Sequence, residues 1–290
     1  MSFEIPEHFH SQFTRNVELL LQQRQPKLLG AVGMGSYSGE SAQVVKQFGE
    51  VEFQEKNVRH KNTTFSDIEH KQRWVFPVDY TLALPVDKED ELRLLDSPLS
   101  PYAEAMRAAW ARRVDQTISD AFFGAARTGK NGSESTAFDT ANQQIAVGAS
   151  GLTVSKLIEA REILRGNEVD LDAEPVHIAL TSTQFSDLLE DEKVTSADYN
   201  TVRALTSGEI NTYMGFVFHH YEGLGVDGSD NRRIPVWVPS GVHFAQWGGF
   251  NTRIDERPDK EYLTQVFMSG TVDATRTQEG KVIEILCDES

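Results

Sequence analysis

One stretch constrains the fold more than any other. Ser100 to about Gly124, SPYAEAMRAAWARRVDQTISDAFFG, reads as a single long helix behind a charged, extended segment that has no core of its own. Ser100 suits the N-cap, and Pro101 suits the first helical position, where its missing N–H is not needed. Glu104 favours the positive end of the helix dipole. Tyr102, Met106, Ala109/Trp110, Val114, Ile118 and Ala121/Phe122 recur at steps of three and four, which makes one apolar stripe. Gly124 or Gly129 can end the helix. At ~1.5 Å per residue it spans roughly 35 Å, the width of a small domain. A helix that long is a backbone against which other layers pack. On the stripe alone it serves an α/β enzyme core equally well.

Its neighbours in sequence narrow the choice. Trp74, Phe76, Val78, Tyr80, Leu82 and Leu84 alternate with other residues, a strand signal that Pro77 moves to an edge position. Val51 and Phe53 begin a weaker run upstream. Between them lies the polar span Arg59–Arg73, RHKNTTFSDIEHKQR. A hairpin with so polar a distal half does not bury itself. It is expected to project and rest on a neighbouring copy; the plainer alternative is a disordered surface loop. Residues 1–50 are irregular and read as an arm, with a short amphipathic helix over Phe13–Arg24 and a turning segment over Gly30–Gly39. Residues 85–99 form a charged connection into the long helix.

Downstream, 124–151 is small and polar, a composition shift that suits a domain boundary. Residues 152–250 read as a compact α/β unit. Thr153 caps a helix to about Leu164, with Leu152 and Leu157 placed as a hydrophobic staple. Val176–Leu180 is a short buried strand, and Phe185, Leu188 and Leu189 mark a short helix. Strands follow at Phe216–Tyr221, Ile234–Val238 and Val242–Trp247, with Gly223–Arg233 as a solvated turn. Tyr262–Met268, Gly270–Arg276 and Lys281–Leu286 predict a closing β-meander.

Composition excludes several function classes. Net charge is −16, with no basic stripe, so sequence-specific nucleic-acid binding is not expected. No apolar run approaches the ~20 residues that cross a bilayer, and MSFEIPEHFH lacks the order of a signal peptide. One cysteine, Cys287, forbids an intrachain disulfide and any multi-cysteine zinc site; it reads as a packed apolar residue. Gly124–Asn131 resembles a phosphate loop, but Asn131 stands where Ser or Thr must follow the lysine. Gly33-Met34-Gly35 lacks the third glycine of a dinucleotide fingerprint. His219 and His220 are adjacent on a strand and point to opposite faces. His8 and His10 lie in the arm, and no carboxylate is spaced to complete a site with His243. No residue is assigned to catalysis, a cofactor or a metal.

The ordered set of parts resembles the major capsid protein of tailed bacteriophages, the Hong Kong 97-type shell fold. The arm, the extended hairpin around Val51–Leu84 and the helix from Ser100 match the family's first half, with that helix as the spine of the peripheral domain. LTVSKLIEAREIL (Leu152–Leu164) resembles the helix that opens the axial domain. LTSGEINTYMGFVFHHYEGL (Leu205–Leu224) is similar to the family's Leu-x-x-Gly-x-Ile…Gly-Phe-x-Val stretch, and SGTVDATRTQEGKVIEI (Ser269–Ile285) to its closing strands, which return to the spine. The resemblance covers nearly the whole chain, and it is the order of weak motifs that carries it.

It implies an α+β fold with an N-terminal arm (1–50), an extended hairpin loop (51–86), a peripheral domain with the spine helix (87–150), an axial α/β domain (151–250) and closing strands of the peripheral domain (251–290). It implies a subunit that self-assembles into hexamers and pentamers of an icosahedral head around double-stranded DNA. Portal, scaffolding and possibly decoration proteins are the implied partners. The spine begins too early to leave room for a scaffold domain before it, so the scaffold is expected as a separate protein or a cleaved piece. Subunit contacts are expected at Lys56, Arg59, Lys61, Lys71, Arg73 and Trp74 of the hairpin. On the helix, Arg107, Arg112 and Arg113 are expected there, with Asp115 as a further outer charge. Some members weld subunits through a lysine–asparagine bond; none of Lys56, Lys61 and Lys71 is assigned that role. A cargo-storing bacterial shell of the same fold, its docking helix at Phe13–Arg24, and a cytosolic α/β enzyme with a β-rich flap are the alternatives.

Overall fold

The computed structural model describes residues 22–49, 51–53, 55, 65–86, 99–190 and 212–289. The long helix is present as α1, Leu99–Phe123. It starts one residue before Ser100, which therefore lies in the first turn and not at the cap. Met106, Val114, Ile118 and Phe122 of the expected stripe are buried, while Tyr102 stays exposed. The second half is enclosed more fully than a stripe requires, for Asp115, Thr117 and Ser119 are buried too. Asp115 is thus no outer charge. Its carboxylate accepts the backbone N–H groups of Lys27 (2.7 Å) and Leu28 (3.0 Å), which binds the N-terminal segment to the helix.

That segment is more ordered than its glycines suggest. Gly30–Gly39 holds a 3-10 turn, Leu29–Ala31, and strand β1, Gly33–Tyr37. A Cβ at Gly35 would meet the Tyr37 ring at 2.7 Å and His243 Nε2 at 2.8 Å. The glycine is there for close approach, not for a turn. Strand β2 follows at Ala42–Phe48.

The expected single strand over 74–84 is two, β3 (His70–Val75) and β4 (Val78–Val86). Pro77 has no N–H to give a ladder, and Phe76 N–H donates to Asp273 Oδ2 at 3.0 Å instead. The chain changes sheets there: β3 pairs antiparallel with β2, whereas β4 neighbours another strand altogether. The antiparallel partner of β3 therefore lies upstream of Val51 and Phe53, which are exposed and outside any strand.

The rest of the chain follows as β5 (Ala126–Thr128), β6 (Glu134–Thr136), β7 (Gln144–Ile145), α2 (Val154–Gly166), β8 (Val176–Leu180) and α3 (Ser182–Glu190). Then come β9 (Thr212–Tyr213), β10 (Phe216–His220), β11 (Arg232–Trp237), β12 (Val242–Arg257), β13 (Leu263–Arg276) and β14 (Val282–Cys287). Three sheets result, in the orders β1-β12-β13-β4, β7-β14-β11-β8-β10-β9 and β2-β3-β5-β6. The closing meander is corrected. Gly270 does not break β13, and β14 leaves it to pair antiparallel with β11 and parallel with β7. The Val/Ile run of β14, buried at every position, finds its cover in the six-stranded sheet.

The chain divides into two compact units. The larger, Pro26–Tyr80, Arg113–Gly249 and Gly270–Ser290, contains the six-stranded sheet. Its central strand β8 is buried at every residue, between β11 and β10. Thr153 caps α2 as expected, its side chain accepting from Lys156 N–H, and Leu152 and Leu157 are both fully buried. Lys156 is a polar lock: its ammonium donates to the carbonyls of Val147, Ser150, Gly151 and Leu286 at 2.8–2.9 Å. The smaller unit, Met1–Gln25, Thr81–Arg112 and Phe250–Ser269, has a core of Met106, Val266 and Met268 with Leu84 and Trp110 against it. The expected helix at Phe13–Arg24, the connection 87–98 and the first half of LTSGEINTYMG fall largely outside the described residues.

Candidate subunit interface

The candidate contact residues separate into two groups. Lys71, Arg107 and Arg112 face solvent. Lys71 pairs only with exposed Glu69, at 3.2 Å, an arrangement worth little to stability. Arg112 reaches Gln22 Oε1 at 2.8 Å. The second group is engaged within the chain. Arg73 is 5% exposed; its Nε donates to Thr277 O at 2.8 Å and its Nη2 to Glu279 at 3.0 Å. Trp74 Nε1 donates to Gly129 O at 2.9 Å. Arg113 donates to Tyr80 Oη at 2.6 Å, with its guanidinium 4.2 Å from the centre of that ring. Lys56, Arg59 and Lys61 lie outside the described residues.

Sequence reasoning weighed the hairpin by its polar residues and missed its apolar ones. Phe48, Val51, Phe53, Phe65 and Ile68 are all exposed, Phe53 and Phe65 almost wholly so. The signal was available in the sequence: aromatic residues recur through a span too polar to hold a core. These side chains join the candidate contact residues.

Several titratable groups inside the larger unit are packed against its rings and strands. His177 Nδ1 and His219 Nε2 share a hydrogen bond of 2.8 Å. Both rings stack against Trp237, with centroids at 5.9 Å. Burial, with a smaller contribution from His219, pushes His177 down to about 4. Burial also lowers His219 and His243. His243 Nε2 meets Tyr37 Oη at 2.9 Å, and His220 sits at the surface beside Glu222. The alternation of His219 inward and His220 outward is the one expected of adjacent strand residues. Burial pushes the Cys287 thiol up to about 12, so it stays protonated and unreactive. Among the described residues no three His, Cys, Asp or Glu side chains converge to hold a metal ion.

The histidine stack predicts an acid-labile fold. A base whose folded value is depressed contributes stability that is complete above its unfolded value. That stability is lost as pH falls. For His177 the window runs from 6.5 down to about 4, and the loss reaches about 3 kcal/mol at its lower end. The melting temperature is expected to fall across this range, beginning well above the pH at which most carboxylates protonate. A His177→Gln variant should flatten that part of the profile; an unchanged slope in the variant would remove His177 as the cause.

A family model for phage capsid protein matches residues 5–289. No curated protein sequence matches the chain. Among solved structures, the capsid of cyanophage P-SCSP1u is similar at 16% identity and a TM-score of 0.72, over 97% of this chain and 94% of that one. Mycobacterium phage Che8 is similar at 15% identity and a TM-score of 0.69, over 94% and 98%. The capsid of the empty GTA particle is similar at 13% identity and a TM-score of 0.73, over 99% and 97%. At such identities the likeness speaks for the fold.

Proposed function

This chain belongs to the phage capsid protein family, its fold is the Hong Kong 97-type shell fold, and from that premise we propose that it is a major capsid subunit. Copies of it assemble into the hexamers and pentamers of an icosahedral head that encloses double-stranded DNA. The observation that carries this reading is the family match over residues 5–289. The protein acts by its surfaces and has no catalytic role. Its place is the virion, assembled in the host cytoplasm with a scaffolding protein, a portal and, in some heads, a decoration protein. The division into arm (1–50), hairpin loop (51–86), peripheral domain (87–150), axial domain (151–250) and closing strands (251–290) belongs to the same proposal. The exposed apolar side chains from Phe48 to Ile68 support a hairpin that lies on a neighbouring copy. Lys71, Arg107 and Arg112, which face solvent, take the rim of such contacts, with Lys56, Arg59 and Lys61 further along the hairpin. A shell of net charge −16 per subunit repels packaged DNA and leaves it free to slide.

Electron microscopy of the expressed chain, with scaffold where needed, is the direct test: closed shells are expected. A monodisperse monomer under every assembly condition would end the proposal. A narrower experiment shortens the stretch between Phe48 and His70 to a tight turn, leaving β2 and β3 intact. Such a variant should keep its melting temperature and lose assembly. Normal shells from it would show that the hairpin makes no essential contact.

A further inference from the structure

Arg113 Nε and Arg276 Nη2 are buried and have no hydrogen-bond partner. Both arginines line the same cavity, of about 190 Å³, at the end of α1. Tyr80, Thr117, Asp120 and Asp273 line it with them, and every one of these residues belongs to the larger unit. Asp120, Gly124 and Ala125 on its wall are exposed, so the cavity opens to the surface. Arg276 itself is fully buried. A buried donor left unmatched costs free energy, more so on a charged group, and native structures keep few of them.

Other donors of the two side chains have acceptors. Arg113 Nη2 donates to Tyr80 Oη; Arg276 spends Nε on Glu279 and Nη1 on the carbonyls of Phe122 and Gly124. The carboxylates on the wall are engaged elsewhere. Asp273 accepts the N–H groups of Phe76 at 3.0 Å and Ala274 at 2.8 Å, and Asp120 Oδ1 accepts Gln116 Nε2 at 2.8 Å. The cavity therefore lacks an acceptor. An ionised carboxylate only accepts, and its two oxygens answer two donors. Its bonds to guanidinium N–H are of the strong, charge-assisted kind. The two aspartates on the wall disfavour a divalent anion such as phosphate. The volume is many times what one water needs and suits a side chain. The chain carries 44 acidic against 28 basic side chains, so a second copy offers carboxylates in excess.

We infer that this cavity is a carboxylate-binding site and that, in the assembled particle, an aspartate or glutamate of a second copy fills it, held by Arg113 Nε and Arg276 Nη2. Arg113, tied to Tyr80 by one nitrogen, thereby keeps another for a neighbour. The choice of a second copy rests on the shell reading; the site does not.

Arg113→Lys in the full chain places an amine in the cavity, and carbodiimide treatment reports what lies beside it. The reagent activates a carboxylate, the amine displaces it to form an amide, and the carbodiimide leaves as a urea. Mass spectrometry of R113K particles should find residue 113 joined to an acidic peptide, a link absent from the dispersed chain. Sodium acetate tests the site without assembly. Against sodium chloride at equal ionic strength it should raise the melting temperature of the dispersed wild-type chain by about 2 °C, and leave Arg113→Met unmoved. Residue 113 joined to Asp120 or Asp273 alike in both states overturns the inference, because the chain then fills its own cavity. No link to residue 113 in particles also overturns it and leaves the shell reading standing; an acetate response would in that case assign the site to a free carboxylate. If no particles form, the shell reading fails by itself: an acetate response then keeps the carboxylate site, and none removes both.

Discussion

Replacing Arg276 with methionine is expected to destabilise the subunit by about 3 kcal/mol, the lower end of the range for breaking a buried ion pair. Arg276 is fully buried at the end of β13 and serves two elements. Its Nη1 donates to Phe122 O at 2.8 Å and Gly124 O at 2.9 Å, the carbonyls that the end of α1 leaves without helical donors. A cation at that end also suits the helix dipole. Its Nε donates to Glu279 at 2.5 Å. Methionine fills most of the volume but strands both carbonyls and one side of Glu279. Two features hold the loss to the lower end. Arg73 keeps its own bond to Glu279, and the carboxylate is 23% exposed, so water can reach it. A melting temperature lowered by roughly 10 °C is the measurement, with Arg276→Lys between the two because its single nitrogen cannot stand both where Nε meets Glu279 and where Nη1 meets the two carbonyls. A loss of only a degree or two for R276M would mean that water takes over at the end of α1. The same residue corrects the expected topology, since it is the end of β13, through Arg276, that closes on the helix, while β14 goes to another sheet.

What was legible in the sequence was local. The Thr153 cap, the stripe at steps of three and four from Met106 to Phe122, the buried run of β8 and the opposite faces of His219 and His220 each follow from residues a few positions apart. What was not legible depended on partners far along the chain. Asp115 reads as a surface charge until two backbone N–H groups 87 and 88 residues away are brought to it. Gly33 and Gly35 read as a turn until His243 is placed beside them. The alternation from Trp74 to Leu84 runs unbroken through Pro77, yet Asp273 takes the Phe76 N–H and the chain passes to a different sheet. Of the contact residues, exposure follows from position: Arg107 and Arg112 lie off the apolar stripe of α1. The commitment of Arg73 to Glu279 joins residues 206 apart, and no spacing signals it.

Truncating Trp237 to alanine should be as damaging as any change of one apolar residue in the chain, about 3–5 kcal/mol. Trp237 is fully buried at the end of β11. Its ring packs on Phe122 of α1 with centroids 4.5 Å apart, and on His177 and His219 from β8 and β10. Its Nε1 donates to Ala31 O at 2.8 Å, which secures the turn before β1. One side chain thus joins the six-stranded sheet, the long helix and the N-terminal segment. Alanine leaves a cavity among three aromatic rings and a buried carbonyl without a donor. Trp237→Phe separates the contributions: the stack largely survives and the Ala31 carbonyl alone is stranded, for about 1–3 kcal/mol. Chemical denaturation of the two variants gives the comparison. Equal losses would show that the hydrogen bond to Ala31 dominates, and a negligible loss for W237A would mean that the helix and sheet close over the gap. Because the two histidines keep their low values through burial under this ring, W237A should also weaken the acid dependence between pH 6.5 and about 4. Water admitted to His177 lets it take its proton in the folded state, and the stability gap between the protonated and neutral forms narrows.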